Sequence, residues 1–262
     1  MTDPVSRTIL LLDIERYSDR DDVEQAYLRR MLYGITDRTL ESAGIDETLR
    51  LRADRGDSVM ELIDASASVI ALLRALLTEV PVQLRAVNRM ASASAQIRLR
   101  AVLATGYVTI DKLDGWVGSA LNHACRLLDG EPLRAALRER SDDFALCVSE
   151  SVHSGIVQHD YPGVPKTDFH AITVASKNGP LRAWLHGPAP TGATAPEDTS
   201  GPAESPRPTS AKESGAVTFL GGSPSFGGSF VNGPQHGVSG GTVHGDVHLG
   251  GGGTIRGRGE RQ

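Results

Sequence analysis

Residues 10–18 read LLLDIERYS, and residues 55–60 read RGDSVM. In each segment one carboxylate, Asp13 or Asp57, stands at the edge of an apolar run. The first segment predicts a buried strand that ends at Asp13, and the second predicts a tight turn that opens another strand. Two carboxylates at neighbouring strand ends suit a pair of divalent cations that neutralise a triphosphate. A simpler interpretation is also open, in which Asp13 caps the following turn and Gly56-Asp57 is an ordinary hairpin turn.

A third segment, residues 115–128 with the sequence GWVGSALNHACRLL, is typical of a glycine turn that enters a helix. Asn122 and Arg126 are four residues apart, so they share one helix face. An amide and a guanidinium on one face suit a phosphoryl group during its transfer. They could equally be an exposed polar residue and an ion-pair partner. Apolar residues at helical spacing predict the buried stripe of this helix: Leu121, Ala124, Leu127 and Leu128.

In this order and spacing, the three segments resemble the class III nucleotide cyclases, the family of adenylyl and guanylyl cyclases. The resemblance covers roughly residues 6–186. The family pattern D-I-x-x-[FY]-[ST] is matched by Asp13, Ile14, Tyr17 and Ser18. The second metal-binding aspartate of the family follows a glycine, as Asp57 follows Gly56. The family's helix pattern G-x-x-[VL]-N-x-A-x-R-[LM] is matched by Gly118, Leu121, Asn122, Ala124, Arg126 and Leu127.

The resemblance implies an α+β fold with a ferredoxin-like βαββαβ core. It also implies an enzyme that converts a nucleoside triphosphate into a 3′,5′-cyclic nucleotide and pyrophosphate. In such a site Asp13, Asp57 and the backbone of Ile14 would hold two Mg²⁺ or Mn²⁺ ions. The segment with Tyr17 and Ser18 would border the triphosphate.

The same resemblance assigns Asn122 to orienting the ribose and Arg126 to neutralising charge on the α-phosphate. Lys177 falls near the family's triphosphate-binding lysine, and Asn178 is an equal candidate. In the family, the metal pair and the Asn/Arg pair of one site come from different chains. Because this chain carries both pairs, we expect a two-fold homodimer with two equivalent sites.

The sequence departs from the family at the positions that read the base. Adenylyl cyclases use a lysine three residues before the Gly-Asp pair and an aspartate three residues before the glycine that opens the helix. Ala53 and Gly115 stand there in this chain, and the guanylyl cyclase residues do not match either. Arg52, Asp54 and Asp114 are adjacent and could substitute after a one-residue shift. The change is compatible with a pyrimidine substrate, as in bacterial anti-phage cyclases that make cyclic CMP or cyclic UMP, and equally with lost activity.

Composition sets further limits on the whole chain of 262 residues. The net charge of −5 gives no general case for nucleic-acid binding. The two cysteines are expected to be free thiols in a reducing compartment. No apolar run approaches the roughly 20 residues that cross a bilayer, and residues 1–4 lack the layout of a signal peptide. These features predict a cytoplasmic protein without a membrane segment.

Hydrophobic periodicity predicts the order β-α-β-β-α-β, followed by further helices, a strand and a trailing hairpin. The second long helix is expected over about residues 67–91. Pro81 is expected to split it, because proline removes a hydrogen bond from the helix. The next strand, 97–105, alternates apolar residues with Arg98 and Arg100, which predicts a strand exposed on one face.

Composition divides the chain into a cyclase-like domain at 1–186, a flexible linker at 187–215 and a glycine-rich tail at 216–262. The tail could be disordered, or its short apolar units could form small β units that stack with another copy or bind a protein partner. Its remaining candidates are His236, His244, Asp246 and His248, too few for a convincing metal site, and Arg256, Arg258 and Arg261, for which a solvated tip is the simpler interpretation.

Two functions of different classes stay open. In the first, the chain is a stand-alone bacterial nucleotide cyclase whose tail binds a partner or assembles copies. In the second, it is a non-catalytic module that binds a nucleotide or a protein partner without turnover. In a third interpretation, the glycine-rich tail is the functional part of the chain, and the cyclase-like domain acts as a sensor for it. The matched metal-binding and transition-state residues favour the first, and the altered base-reading positions favour the second.

Overall fold

A computed structural model of the chain describes residues 3–111, 115–176, 179–192, 247–249 and 253–255. The chain divides into two compact units, Met1–Thr199 and Ser200–Gln262. The second unit contains two short antiparallel strands, Val247–Leu249 and Gly253–Ile255. The other candidates that the sequence offers in the tail lie outside the described residues, and nothing is described of the His248 side chain.

The first unit alternates strands with helices in the expected order. Its elements are β1 (Val5–Ile14), α1 (Asp22–Ser42), β2 (Arg50–Asp54), β3 (Ser58–Asp64), α2 (Val69–Met90), β4 (Leu99–Ile110), β5 (Trp116–Val117), α3 (Ser119–Asp129), α4 (Glu131–Glu139), β6 (Phe144–Ser149), α5 (Glu150–Gly155), β7 (Phe169–Val174) and β8 (Leu181–His186).

One sheet organises the unit, with strand order β2-β3-β1-β4-β6-β8-β7 and β5 paired to β4. Within β2-β3-β1-β4 every neighbouring pair is antiparallel. Two βαβ units that interleave in this way make the ferredoxin-like core, which confirms the expected α+β fold class. β6 adds to β4 in parallel, and the β7–β8 hairpin closes the far edge.

The two faces of the sheet bury two separate cores. On the first face, α1, α2 and α5 cover side chains such as Leu10, Leu12 and Val59. On the second face, α3 and α4 cover Ile9, Leu11 and other residues of alternate parity. Both cysteines are free thiols, as expected. No helix of the described residues is long and apolar enough to cross a membrane.

The expectation that Pro81 splits the second helix is wrong, because α2 is continuous through it. Proline in a helix interior costs about 3 kcal/mol. The apolar stripe of α2, which includes Leu76, Val80 and Leu84, is almost fully buried on both sides of Pro81. Burying each such side chain contributes about 1.5–3 kcal/mol, so packing against the sheet outweighs the local penalty.

The expectation of a strand exposed on one face is also wrong. β4 lies in the interior of the sheet, and its residues 101–104 are buried on both faces. Ala101 and Leu103 belong to the first core, while Val102 and Ala104 belong to the second. The alternation of apolar residues with arginine holds only at Arg98 and Arg100, at the start of the strand. There Arg98 donates to Glu15 and Arg100 donates to Asp13.

Candidate active site

Asp13 is the last residue but one of β1 and is only 8% exposed. It has the parity of Ile9 and Leu11, so its side chain lies on the second face of the sheet. The antiparallel register places it opposite Ser58 of β3 and opposite Arg100 of β4. Asp13 therefore sits at the end of the most central strand of the core, on the side that α3 covers.

Asp57 stands in the β2–β3 turn, beside the end of β1. The amide of Ile14 donates to the carbonyl of Asp57 at 3.1 Å. Gly56 adopts a left-handed φ of 84°, a conformation that glycine reaches without steric cost. Its amide donates to Asp54 Oδ1 at 2.9 Å. The structure thus brings together the two predicted metal-binding aspartates, with Asp13 buried and Asp57 exposed.

Arg100 is the direct partner of Asp13. Its Nη2 donates to Asp13 Oδ2, and the two side chains are 12% and 11% exposed. Burial raises the pKa of Asp13 to about 6, against the opposing effect of Arg100, and the charges of Asp57 and Asp129 raise it further. No local motif in the sequence indicates this residue, because only the register of β1 and β4 places it across from Asp13.

α3 carries the Asn/Arg pair and lies unusually close to β4. A Cβ on Gly106 would come within 2.3 Å of the Ala120 Cβ, and a Cβ on Gly118 would come within 2.6 Å of the Tyr107 carbonyl oxygen. Distances this short leave no room for a side chain at either position. The glycines therefore fix the start of α3 against the strand.

The predicted pair on α3 faces away from the buried stripe. Asn122 is exposed and Arg126 is half-buried, while Leu121, Ala124, Leu127 and Leu128 are buried as expected. Next to them, Arg55 Nη1 from the β2–β3 turn donates to Cys125 Sγ at 3.7 Å. The helix and the turn that carries Asp57 are therefore neighbours on one side of the sheet.

Arg126 lines a cavity of about 760 Å³. The cavity lies against the start of α4, residues 173–176 at the end of β7, and residues 190–192. Asp13 and Asp57 are not among its lining residues. Lys177 and Asn178, the two candidates for triphosphate binding, and Asp114 lie outside the described residues.

Arg52 and Asp54 lie on the first face of the sheet, away from Asp13. Arg52 donates to Asp37 and to the fully buried Glu61, and Asp54 is paired with Arg29 of α1. Ala53, between them, packs against the second core. A shift of one residue along a strand moves a side chain to the other face. The structure therefore does not bring Arg52 and Asp54 into the site as substitutes for the missing lysine.

The remaining predicted residues are also placed. Gly115 closes a loop, with its amide donating to Asp111 Oδ1 at 2.7 Å. Tyr17 begins a short 3₁₀ turn and packs against the first core, and Ser18 is exposed. The backbone of this turn follows Asp13 directly, but the Tyr17 ring is turned to the other side of the sheet.

Asp13, Asp57 and the backbone carbonyl of Ile14 would offer oxygen donors, which are the kind of ligand that Mg²⁺ and Mn²⁺ take. Among the described residues, no three His, Cys, Asp or Glu side chains gather as a metal cage. Mg²⁺ is usually bound by one or two carboxylates together with substrate phosphates. A donor set of two carboxylates is therefore of the right kind for a metal that arrives with a nucleotide.

No protein-family model matches the sequence, and no curated protein matches it either. Several solved structures are similar in fold. The guanylyl cyclase Cya2 is 16% identical, with 75% of this chain and 96% of that chain covered and a TM-score of 0.49. An adenylate/guanylate cyclase/hydrolase from Silicibacter pomeroyi is 21% identical, with 71% and 99% covered and a TM-score of 0.48. A bacterial light-regulated adenylyl cyclase is 18% identical, with 72% and 94% covered and a TM-score of 0.47.

These three proteins are nucleotide cyclases by name, and the likeness to them concerns the fold. The sheet order described above, β2-β3-β1-β4, is that of the ferredoxin-like core which the resemblance to class III cyclases implies.

Proposed function

We propose that this chain is a nucleotide cyclase, which converts a nucleoside triphosphate into a 3′,5′-cyclic nucleotide and pyrophosphate. The observation that carries the proposal is the meeting of Asp13 with the Asp57 turn, joined by the bond from the Ile14 amide to the Asp57 carbonyl. The proposal is supported by these two residues of the cyclase pattern lying side by side at the end of the central strand β1. α3, with Asn122 and Arg126, covers the same face.

In the proposed reaction the 3′-oxygen of the substrate bonds to its own α-phosphorus as the bond to pyrophosphate breaks, and the hydroxyl proton passes to solvent water. Asp13, Asp57 and the Ile14 carbonyl would hold Mg²⁺ or Mn²⁺, which would supply positive charge to the 3′-oxygen and to the phosphates. Arg126 donates to the α-phosphate oxygens, where charge builds in the transition state. The Asn122 amide orients the ribose, so that the hydroxyl lies in line with the leaving pyrophosphate.

We propose a two-fold homodimer as the working assembly. The cavity that Arg126 lines does not include Asp13 or Asp57, so this cavity does not by itself join the two halves of the chemistry. Asn122 is exposed and free to face a second copy. An isologous pair would bring the metal half of each chain to the Asn/Arg half of the other and make two equivalent sites.

The base stays open in this proposal. Ala53 and Gly115 stand at the two reading positions, and Arg52 and Asp54 are engaged on the other face, so neither of these two residues replaces the adenine-reading pair. We include a pyrimidine triphosphate, and with it a role in anti-phage signalling, among the candidates. The glycine-rich tail would then bind a partner or another copy.

The alternative is a module that binds a nucleotide or a protein without turnover. Two observations favour it: the altered base-reading positions, and the arginine that already neutralises Asp13. It predicts nucleotide binding in the absence of any cyclic product.

The test is turnover of ATP, GTP, CTP and UTP, each with Mn²⁺, by the wild type, by Asp57→Asn and by Glu47→Gln. Glu47 is an exposed carboxylate before β2, at the other end of the β2–β3 hairpin from the turn, and serves as the matched control. We expect cyclic product from at least one nucleotide, lost in Asp57→Asn and kept in Glu47→Gln. Absence of product from folded, dimeric wild type with all four would favour the non-catalytic module.

A further inference from the structure

Arg100 and Asp13 form an ion pair inside the proposed metal site. The two residues face each other across β1 and β4, and both side chains are nearly buried. Around them, the charges of Asp57 and Asp129 act on Asp13. Three carboxylates thus surround a region that one guanidinium neutralises in part.

Among the described residues, the Arg100 guanidinium pairs with Asp13 alone. Its Nε is buried without a hydrogen-bond partner, and Asp13 is its one described ion-pair partner. Arg98, two residues earlier, differs: it pairs with Glu15 and donates to the carbonyls of Leu137, Arg140 and Asp142. The contacts of Arg98 tie the fold together, whereas those of Arg100 serve a single carboxylate.

A divalent cation at Asp13 must compete with this guanidinium. A cation and an arginine on one buried carboxylate repel each other strongly, since the low dielectric of the site screens little. Leaving a buried carboxylate without any cation is also costly. These two free-energy costs together favour an arrangement in which Asp13 has one positively charged partner at a time, either Arg100 or the metal ion.

We infer that Arg100 is an internal counter-cation, which pairs with Asp13 and is displaced when the metal binds. This rests on the proposed function, because Asp13 is taken as a metal ligand. The consequence is a site with weak affinity for a free metal ion. Such a site takes up its metal together with the triphosphate, whose own charges help to move Arg100 off the carboxylate.

The inference is tested by Mn²⁺ binding without nucleotide, measured from the electron paramagnetic resonance of free Mn²⁺. The variants are Arg100→Gln, which removes the cation, and Arg100→Lys, which keeps one. Arg7→Gln is the matched control. Arg7 lies on the same face of β1 as Asp13 and pairs with Asp64 of β3. It is about 20 Å from Asp13 along the strand. Circular dichroism and thermal unfolding check that each variant is folded.

We expect Arg100→Gln to bind Mn²⁺ about 10-fold more tightly than the wild type, a factor that corresponds to about 1.4 kcal/mol. Arg7→Gln should match the wild type, and Arg100→Lys should stay within a few-fold of it. Adding Asp13→Asn to Arg100→Gln should abolish the gain.

Equal or weaker Mn²⁺ binding by folded Arg100→Gln, with binding still lost in Asp13→Asn, would overturn the inference and leave the metal site of the proposed function intact. Absence of Mn²⁺ binding in every variant, or binding that Asp13→Asn does not affect, would overturn the inference and the proposed metal site together.

Discussion

Asp13 combines near-complete burial with a charge that the proposed chemistry needs. Its pKa rises to about 6 because the buried carboxyl resists ionisation more than Arg100 favours it. In the unfolded chain the same carboxyl would ionise near its ordinary value of 3.8. The folded state therefore binds this proton more tightly, so the contribution of Asp13 to the free energy of unfolding is full below about pH 4 and is lost by about pH 6.

The first prediction is that Asp13→Asn becomes more stable relative to the wild type as pH rises from about 4 to about 7. A pKa difference of about two units corresponds to about 3 kcal/mol. The measurement is urea unfolding of both proteins at a series of pH values. Asp64→Asn is the control, because hydrogen bonds from Ser66 lower the pKa of Asp64, and its difference from the wild type should be flat above about pH 5. A flat difference for Asp13→Asn as well would contradict the account.

The second prediction separates stability from base reading at Arg52. Because Arg52 and Arg50 share the buried Glu61, Arg52→Ala should lower the free energy of unfolding by about 1–3 kcal/mol. The ratio of turnover among the four nucleotides should not change, since the guanidinium lies on the face away from Asp13. Arg30→Ala, on the exposed side of α1, provides the comparison. A changed ratio would show that Arg52 contacts the base.

Short motifs in the sequence predicted the two aspartates that lie together at the end of β1. The same motifs could not predict the contact of Arg100 with Asp13, or the face of the sheet on which Arg52 lies. Asp13 and Gly56-Asp57 are visible locally, as a charge ending an apolar run and as a turn pair. The Arg100–Asp13 contact depends on the register between two strands that pair residues 87 positions apart in the chain. Arg52 is excluded from the candidate site because its side chain lies on the other face of β2. Its ion pairs with Glu61 of β3 and Asp37 of α1 hold it on that face.

α3 is the element on which the placement of Asn122 and Arg126 depends. It reaches β4 through contacts that only glycine allows, chiefly that between Gly106 and Ala120. Since both of these candidate side chains project from this one helix, a small displacement of α3 would move both.

The third prediction follows from this contact. Gly106→Ala should destabilise the protein by about 1–3 kcal/mol, the usual cost of overpacking, and should also reduce turnover. Ala120→Gly in the same chain should restore part of both losses, because it removes the atom that the new methyl group meets. Gly155→Ala is the control, since nothing lies within 4 Å of its added carbon. Independent, additive effects of the two substitutions would show that the contact is not tight.

Element order was largely predictable, because apolar periodicity survives in each helix and strand. The two failures share one cause, which is tertiary packing. Pro81 has a strong local effect, but the burial of α2 overrides it. The arginines at 98 and 100 predict an exposed face, but β4 continues into the centre of the sheet, where helices cover both sides. Neither the burial of α2 nor the covering of β4 by helices can be read from the residues that surround Pro81, Arg98 and Arg100 in the sequence.

The first compact unit, Met1–Thr199, includes every described residue of the candidate site. The fourth prediction is that a chain ending at Thr199 keeps the thermal unfolding midpoint and the turnover of the full chain. All described members of its sheet and of both cores precede Thr199. The measurement compares the two proteins by calorimetry and by nucleotide turnover. A marked loss of folding in the shorter chain would mean that the tail supports the domain.

The most direct test of the central claim, a cyclase site shared between two copies, mixes two variants that should each be inactive. Asp57→Asn lacks the metal half and Arg126→Ala lacks the transition-state half, so neither homodimer has a complete site. After subunit exchange of an equal mixture, half of the dimers carry one variant of each kind and one complete site. We predict recovery of cyclic-nucleotide formation to about a quarter of the wild-type rate. A mixture that stays inactive although exchange is demonstrated, beside an active wild type, would contradict the shared site, and an inactive wild type would contradict the cyclase itself.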